Sequence, residues 1–173
     1  TLTPGAQAAV AVGSLLVVTK DVVQAAKDKQ QITPTLDKFA RLSGGLGRFD
    51  SLLADTGYFS EANVEACAAA KIAPLIAGTR ERHHRSWKDR FAEPPPAPDN
   101  PTPLEAMRHR LATPEGRQAC ALRKQTPEPV FGIIKSVMGF RQFSLRGLDK
   151  VKGEWSLVTM AWNMKRMFAL SQA

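Results

Sequence analysis

The sequence predicts an α/β domain, and three observations carry that expectation. Short apolar runs of strand character alternate with helix-period segments through the first half of the chain, the order that builds a sheet flanked by helices. The second half reads as helix after helix. Two acidic residues, Asp55 and Glu128, stand in local contexts that a carboxylate serving only as surface charge would not need.

Ala6 to Val12 is small and apolar, Gly13-Ser14 offers a turn, and Leu15 to Val18 continues as a strand, so this segment reads as a hairpin. Thr33-Pro34 is a helix start, the hydroxyl as N-cap and the proline at the first helical position. That helix carries Leu36, Phe39 and Leu42 at helical spacing and stops at Gly44-Gly45. Phe49, Leu52 and Leu53 then form a short strand that ends at Asp55. Gly57 permits a sharp turn, Ser60 caps a helix bearing Val64, Cys67 and Ala68, and Ile72 to Ile76 is another strand. Residues 78–103 break the pattern. They are charged, then Pro-rich at Glu93 to Pro98, and read as a long surface insertion. Beyond it Thr113-Pro114-Glu115 starts a helix, Pro127 and Pro129 interrupt or kink the path, and Val130 to Met138 forms the helix that bears the glutamate. A last helix from about Glu154 to Leu170 would carry Leu157, Val158, Ala161, Trp162, Met164 and Phe168 toward a core. The expected organisation is one domain: core strands and helices over 1–77, the insertion over 78–103, and a helical part over 104–173.

A chain of 173 residues, 43% hydrophobic and 23% charged, is long enough to bury a core and should fold. Its 24 Lys and Arg against 16 acids leave a formal charge of +8, which favours a polyanion as partner. No run reaches the roughly 20 apolar residues of a membrane span, no amphipathic basic helix stands out, and no signal peptide appears. A cytoplasmic location is therefore expected. Cys67 and Cys120 lie far apart without metal-ligand spacing and read as small buried residues of a reducing compartment.

Asp55 emerges where a buried strand ends at a sheet rim, and Glu128 opens an apolar helical run just behind a proline. Two carboxylates brought from distant parts of a chain to one sheet edge can hold a hard divalent cation for phosphate chemistry. On the residues alone each has a plainer role. Asp55 suits a turn-former capping the backbone before Gly57, and Glu128 suits a helix N-terminal charge. Basic residues cluster around the glutamate: from Arg117 to Lys152 there are eight Lys or Arg against Glu128 and Asp149. Lys135 lies seven residues after Glu128, about two helical turns, on the same side. Arg123, Lys124, Lys135, Arg141 and Arg146 are the candidates to hold DNA phosphates, contacts that position DNA without reading its sequence. A second basic stretch, Thr79 to Arg90, contains Trp87, which suits either a solvated loop or a stacking contact with an unpaired base. Adjacent His83 and His84 point in different directions, which disfavours chelation. Trp155, Trp162 and Phe168 read as core.

Leu53 to Ser60 and Glu128 to Lys135 both resemble the insertion-sequence DDE transposases of the RNase H-like superfamily, and Glu128-Pro129-Val130-Phe131-Gly132 is the most specific part of the likeness. Further resemblance runs through Ala6 to Val10, Asp28 to Ile32, Arg117, and Leu122 to Thr126. It continues through Gly139-Phe140-Arg141, Leu145-Arg146-Gly147, Gly153-Glu154-Trp155 and Asn163 to Arg166, covering nearly the whole chain. The resemblance implies an RNase H-like mixed sheet flanked by helices, lacking its first core strand here, and a helical C-terminal part. It makes Asp55 and Glu128 the second and third acids of a DDE site that binds Mg²⁺ (or Mn²⁺). The implied activity is metal-dependent cleavage of transposon ends and their strand transfer to target DNA, in a bacterial cytoplasm. A homodimer is compatible with it.

The sequence also departs from the family. The first aspartate, expected on a strand before Ala6, either lies upstream of Thr1 or is lost, and without it no competent two-metal site is expected. Ala11-Val12-Gly13 stands where an aspartate is expected. Pro127 replaces a β-branched residue and could re-aim the glutamate by bending its helix. Cys120 and Ala121 stand where a tyrosine is usual. Two other readings follow: an inactive transposase remnant that binds DNA or an intact transposase, and a basic nucleic-acid-binding domain without metal. End sequence, target preference and the role of the insertion are not legible.

Overall fold

The computed structural model describes residues 5–24, 28–46, 49–77, 96 and 98–172, with the side chains of 28, 43–46 and 124 outside that description. The chain is mixed α/β, as its element order requires. It folds as two compact units: Thr1–Ala26 with Leu122–Ala173, and Lys27–Ala121. Among the described residues the strands pair as two two-stranded sheets. The insertion expected over 78–103 falls mostly outside the described residues. No helix of the described residues is long and apolar enough to cross a membrane.

In the first unit, β1 (Gly5–Val10) and β2 (Val17–Val23) form the expected antiparallel hairpin, with Ala6 opposite Val22 and a bulge between Ala9 and Val10. The second strand runs five residues past its expected end, because Val17 and Val22, brought onto one face by the bulge, are buried in the core. Against the hairpin pack helices α5 (Pro127–Ser136) and α6 (Leu148–Ser171). The core is Val17, Val22, Val130, Ile134, Val151, Trp155 and Trp162.

Helix α6 starts six residues before the expected Glu154. Its phase also differs from the expectation. Val151, Trp155, Thr159 and Trp162 are buried, whereas Leu157, Met164 and Phe168 are 64%, 60% and 69% exposed and Ala161 is exposed too. At about 100° per residue, Trp155 and Trp162 sit within roughly 20° of each other, and Leu157, Met164 and Phe168 lie on the opposite side. Two indoles set the phase, and the smaller apolar residues follow. The helix is also pinned by polar handles. Trp155 Nε1 donates to the Gln7 carbonyl (3.0 Å), Trp162 Nε1 to the Leu15 carbonyl (2.8 Å), and Arg166 Nε to the Ser14 carbonyl (2.7 Å). Asn163 accepts from the Val17 N–H and donates to the Val17 carbonyl, both at 2.8 Å, extending the ladder of β2 with a side-chain amide.

The second unit contains α1 (Ile32–Leu46), β3 (Ser51–Ala54), α2 (Glu61–Ala69), β4 (Ala73–Ile76), α3 (Pro103–Ala112) and most of α4 (Pro114–Gln125). Helix α1 buries Ile32, Leu36 and Phe39, begins just before Thr33, and runs past Gly44-Gly45 to Leu46. Thr33 is therefore inside the first turn rather than its cap. Strands β3 and β4 are parallel, Leu53 opposite Leu75, with α2 as their crossover. Val64, Ile76 and Met107 form the core with Ala54, Tyr58, Phe59, Leu104 and Leu111 around it. Helix α3 starts at a capping box formed by Thr102 and Glu105.

Candidate functional site

Asp55 is the first residue beyond β3, so a half-buried strand of the second unit delivers an exposed carboxylate at its C-terminal end. Its Oδ1 accepts from the Thr56 N–H at 2.7 Å and caps the 3₁₀ turn Thr56–Tyr58. This is the capping role legible at that turn. A carboxylate offers about four lone-pair sites, more than the cap bond itself uses. Ser60 then accepts from the Asn63 N–H at 3.2 Å and starts α2, as expected. Asn63 itself was not anticipated. It is 5% exposed, and its Nδ2 donates to the carbonyls of Tyr58 (2.7 Å) and Lys29 (2.8 Å), which fixes the turn that follows Asp55. Its position three residues after a capping serine was the available signal.

Glu128 belongs to the first unit, on α5. Pro127 does not kink this helix. It occupies the first helical position, where a missing N–H costs nothing, and Glu128 follows in the first turn, at the positive end of the helix dipole. Val130 and Ile134 bury the opposite side of α5, so Glu128 projects to solvent. Lys135, two turns on, lies within about 20° of it around the helix axis and about 10 Å along it. Thr126, between α4 and α5, is buried and donates Oγ1–H to the Leu122 carbonyl at 2.7 Å.

Arg123 is half-buried near the end of α4, and the Lys124 side chain lies outside the described residues. Lys135, Arg141 and Arg146 are exposed and line one cavity of about 740 Å³. Phe131, Phe140, Phe143 and Trp155 also line it, with Phe131 stacked on Trp155 at 5.7 Å and Phe140 edge-on to Phe143 at 5.4 Å. The loop between α5 and α6 is shaped by Gly139 and Gly147, at φ +74° and +92°, a region that favours glycine. Glu154, another unanticipated residue, braces it: its carboxylate accepts from the N–H groups of Ser144 (2.8 Å) and Leu145 (3.1 Å). The Ser144 N–H first, and that of Leu145 with it, holds this carboxyl below its usual range.

Glu128 and Lys135 thus share a helix face, and Lys135, Arg141 and Arg146 surround one cavity. Asp55 belongs to the other unit. As hard oxygen donors, Asp55 and Glu128 are the kind of ligand Mg²⁺ takes. Among the described residues, no group of three or more His, Cys, Asp or Glu could hold a metal ion. His83, His84, Trp87 and the stretch from Thr79 to Arg90 lie outside the described residues.

No curated protein and no solved structure matches the chain. A family model described as the transposase DDE domain matches residues 97–168, a span that includes Glu128 and the five candidate phosphate-binding cations but not Asp55. That segment, with an exposed glutamate opening its helix and the Val-Phe-Gly run behind it, is similar to the transposase DDE domain.

Proposed function

We propose that this chain is the catalytic portion of an insertion-sequence transposase that cuts transposon ends and joins them to target DNA with Mg²⁺ or Mn²⁺. Asp55 and Glu128 would be the metal ligands, the second and third acids of the site. Bound there, the cation would supply an activated oxygen nucleophile and stabilise the leaving oxygen at phosphorus. The chain's own part is positioning. The cap and the Asn63 brace hold the Asp55 turn. The buried side of α5 aims Glu128 outward, and Arg123, Lys124, Lys135, Arg141 and Arg146 grip phosphates. The RNase H-like reading rests on the order hairpin, helix, strand with an acid, helix, strand. The observation that carries the proposal is the Glu128–Lys135 face of α5 within the matched segment.

Calorimetric titration with Mg²⁺ and Mn²⁺, beside Asp55→Ala and Glu128→Ala, tests it. Saturable binding that either substitution abolishes is expected; binding indifferent to both refutes the shared metal site. The Asp55 cap favours a second reading, because that carboxylate already has a structural task. A transposase remnant that binds DNA without metal would leave Asp55→Ala less stable yet equal to the parent in DNA affinity, with no heat of metal binding in either.

A further inference from the structure

We propose that the cavity between α5, the loop from Val137 to Gly147 and α6 receives a single unpaired base of a DNA strand. This rests on the DNA-binding reading above and assigns the same cations a more specific task. An unpaired base demands three things: an apolar, π-faced wall to replace its stacking neighbours, donors or acceptors for its edge, and cations for the phosphates on either side. All three meet here. At about 740 Å³ the cavity lies within the range of small-molecule sites. Phe140 and Phe143, both half-buried, present ring surface over the buried Trp155, which Phe140 approaches at 6.1 Å between centroids. Gln142 lines the same space with an amide that both donates and accepts.

Lys135, Arg141 and Arg146 stand at the solvent side, and among the described residues no Asp or Glu lines the cavity to oppose them. A purely apolar ligand would leave these three cations without purpose, and a fully paired duplex would leave the aromatic wall without one. The Glu154 carboxylate, gripping Ser144 and Leu145, keeps Arg146 from drifting off the rim. A free nucleotide offers the same chemistry as one base of a strand. The strand is favoured because three separate cations exceed what one phosphate needs.

The test uses the full chain and two fluorescent DNA hairpins of equal phosphate number, each closed by a non-nucleotide linker, one fully paired and one with a single unpaired 2-aminopurine. Expected is roughly tenfold tighter binding of the second, within the range that stacking of one base supports, with quenching of the 2-aminopurine. Phe143→Leu, which keeps apolar bulk and removes the π-face, should abolish the preference and leave paired-DNA affinity within about twofold. Arg146→Gln should weaken both DNAs. Equal affinity of the parent chain for both hairpins overturns the proposal while leaving DNA binding intact. A preference that survives both Phe140→Leu and Phe143→Leu also overturns it. Deoxyadenosine monophosphate competing as well as the unpaired hairpin would make this a small-molecule site. No binding of either DNA would refute the DNA-binding reading itself.

Discussion

Asn163 offers the sharpest test of how the unit bearing Glu128 is held. Its amide accepts from the N–H and donates to the carbonyl of Val17, each at 2.8 Å, and Val17 is buried at 7% exposure. Truncation to Ala strands two backbone groups. Each stranded group costs about 1–3 kcal/mol, and partial access of water to the half-buried site trims the total to about 2–4 kcal/mol. Against a domain stability of about 5–15 kcal/mol that is a large loss. Asn163→Asp sharpens the point. The carboxylate still accepts from the N–H but sets a negative oxygen against the Val17 carbonyl, so at neutral pH it should cost about 2 kcal/mol. Protonation restores a donor. The folded-state pKa of the introduced carboxyl is then raised, its stabilising contribution is present at low pH, and it is lost as pH rises through that value. Urea unfolding followed by tryptophan fluorescence, at neutral and acid pH, reads both effects. A loss below about 0.5 kcal/mol for Asn163→Ala, or an Asn163→Asp penalty indifferent to pH, would refute the clamp.

Four further outcomes are expected. Ser60→Ala removes the α2 cap beside the Asp55 turn and should cost about 1 kcal/mol in urea unfolding; a neutral result would mean Asn63 alone holds that helix start. Burial pushes the Cys67 thiol up to about 11, so at pH 8 iodoacetamide should modify half-buried Cys120 first and spare Cys67 until the chain unfolds. Because that folded-state value is raised, the contribution of the neutral thiol to stability is lost as pH climbs from about 9 toward 11. Glu154 is held below its usual 4.5, so its brace should persist through mild acid and fail only as pH falls through the depressed value. NMR shifts of the Ser144 and Leu145 amides should report that step, and Glu154→Gln should remove it. Two glycines should differ in sign: a Cβ on Gly116 would sit 1.8 Å from the Arg110 carbonyl oxygen, whereas one on Gly132 meets nothing within 4 Å. Gly116→Ala should cost about 2 kcal/mol or more, Gly132→Ala should gain about 0.5–1 kcal/mol, and thermal melts of the two variants decide it.

The parts of the fold that local chemistry dictates were legible in the sequence. The hairpin, the strand ending at Asp55, the Ser60 cap and the α2–β4 crossover follow from turn residues, caps and short apolar runs. Tertiary effects decided the rest. The face of α6 could not be read, because apolar residues occupy most of its circumference and only contact with the hairpin shows that Trp155 and Trp162 choose the inward side. Pro127 looked like a breaker until its position at the helix start was known. Asn63, Asn163 and Glu154 bond backbone groups at Tyr58, Val17 and Ser144. No pattern in one dimension marks partners of the Asn163 kind, which lie 146 positions away.

Helix α5 shows how a short sequence can serve a core and a surface at once. Val130 and Ile134 anchor one side, and Trp155 packs close by through Phe131. On the other side stand Glu128, Gly132 and Lys135, all exposed. Nothing among the described residues needs a glycine there, since the helix continues through Gly132 and a methyl group would meet none of them within 4 Å. Interior glycine costs a helix about 1 kcal/mol relative to alanine. A cost without a packing reason, midway between an acid suited to metal and a cation suited to phosphate, fits a surface kept low for something that approaches from outside. On the proposed function that visitor is the DNA backbone, and the bare turn of helix at Gly132 lets it come close enough for Glu128 and Lys135 to act on the same strand.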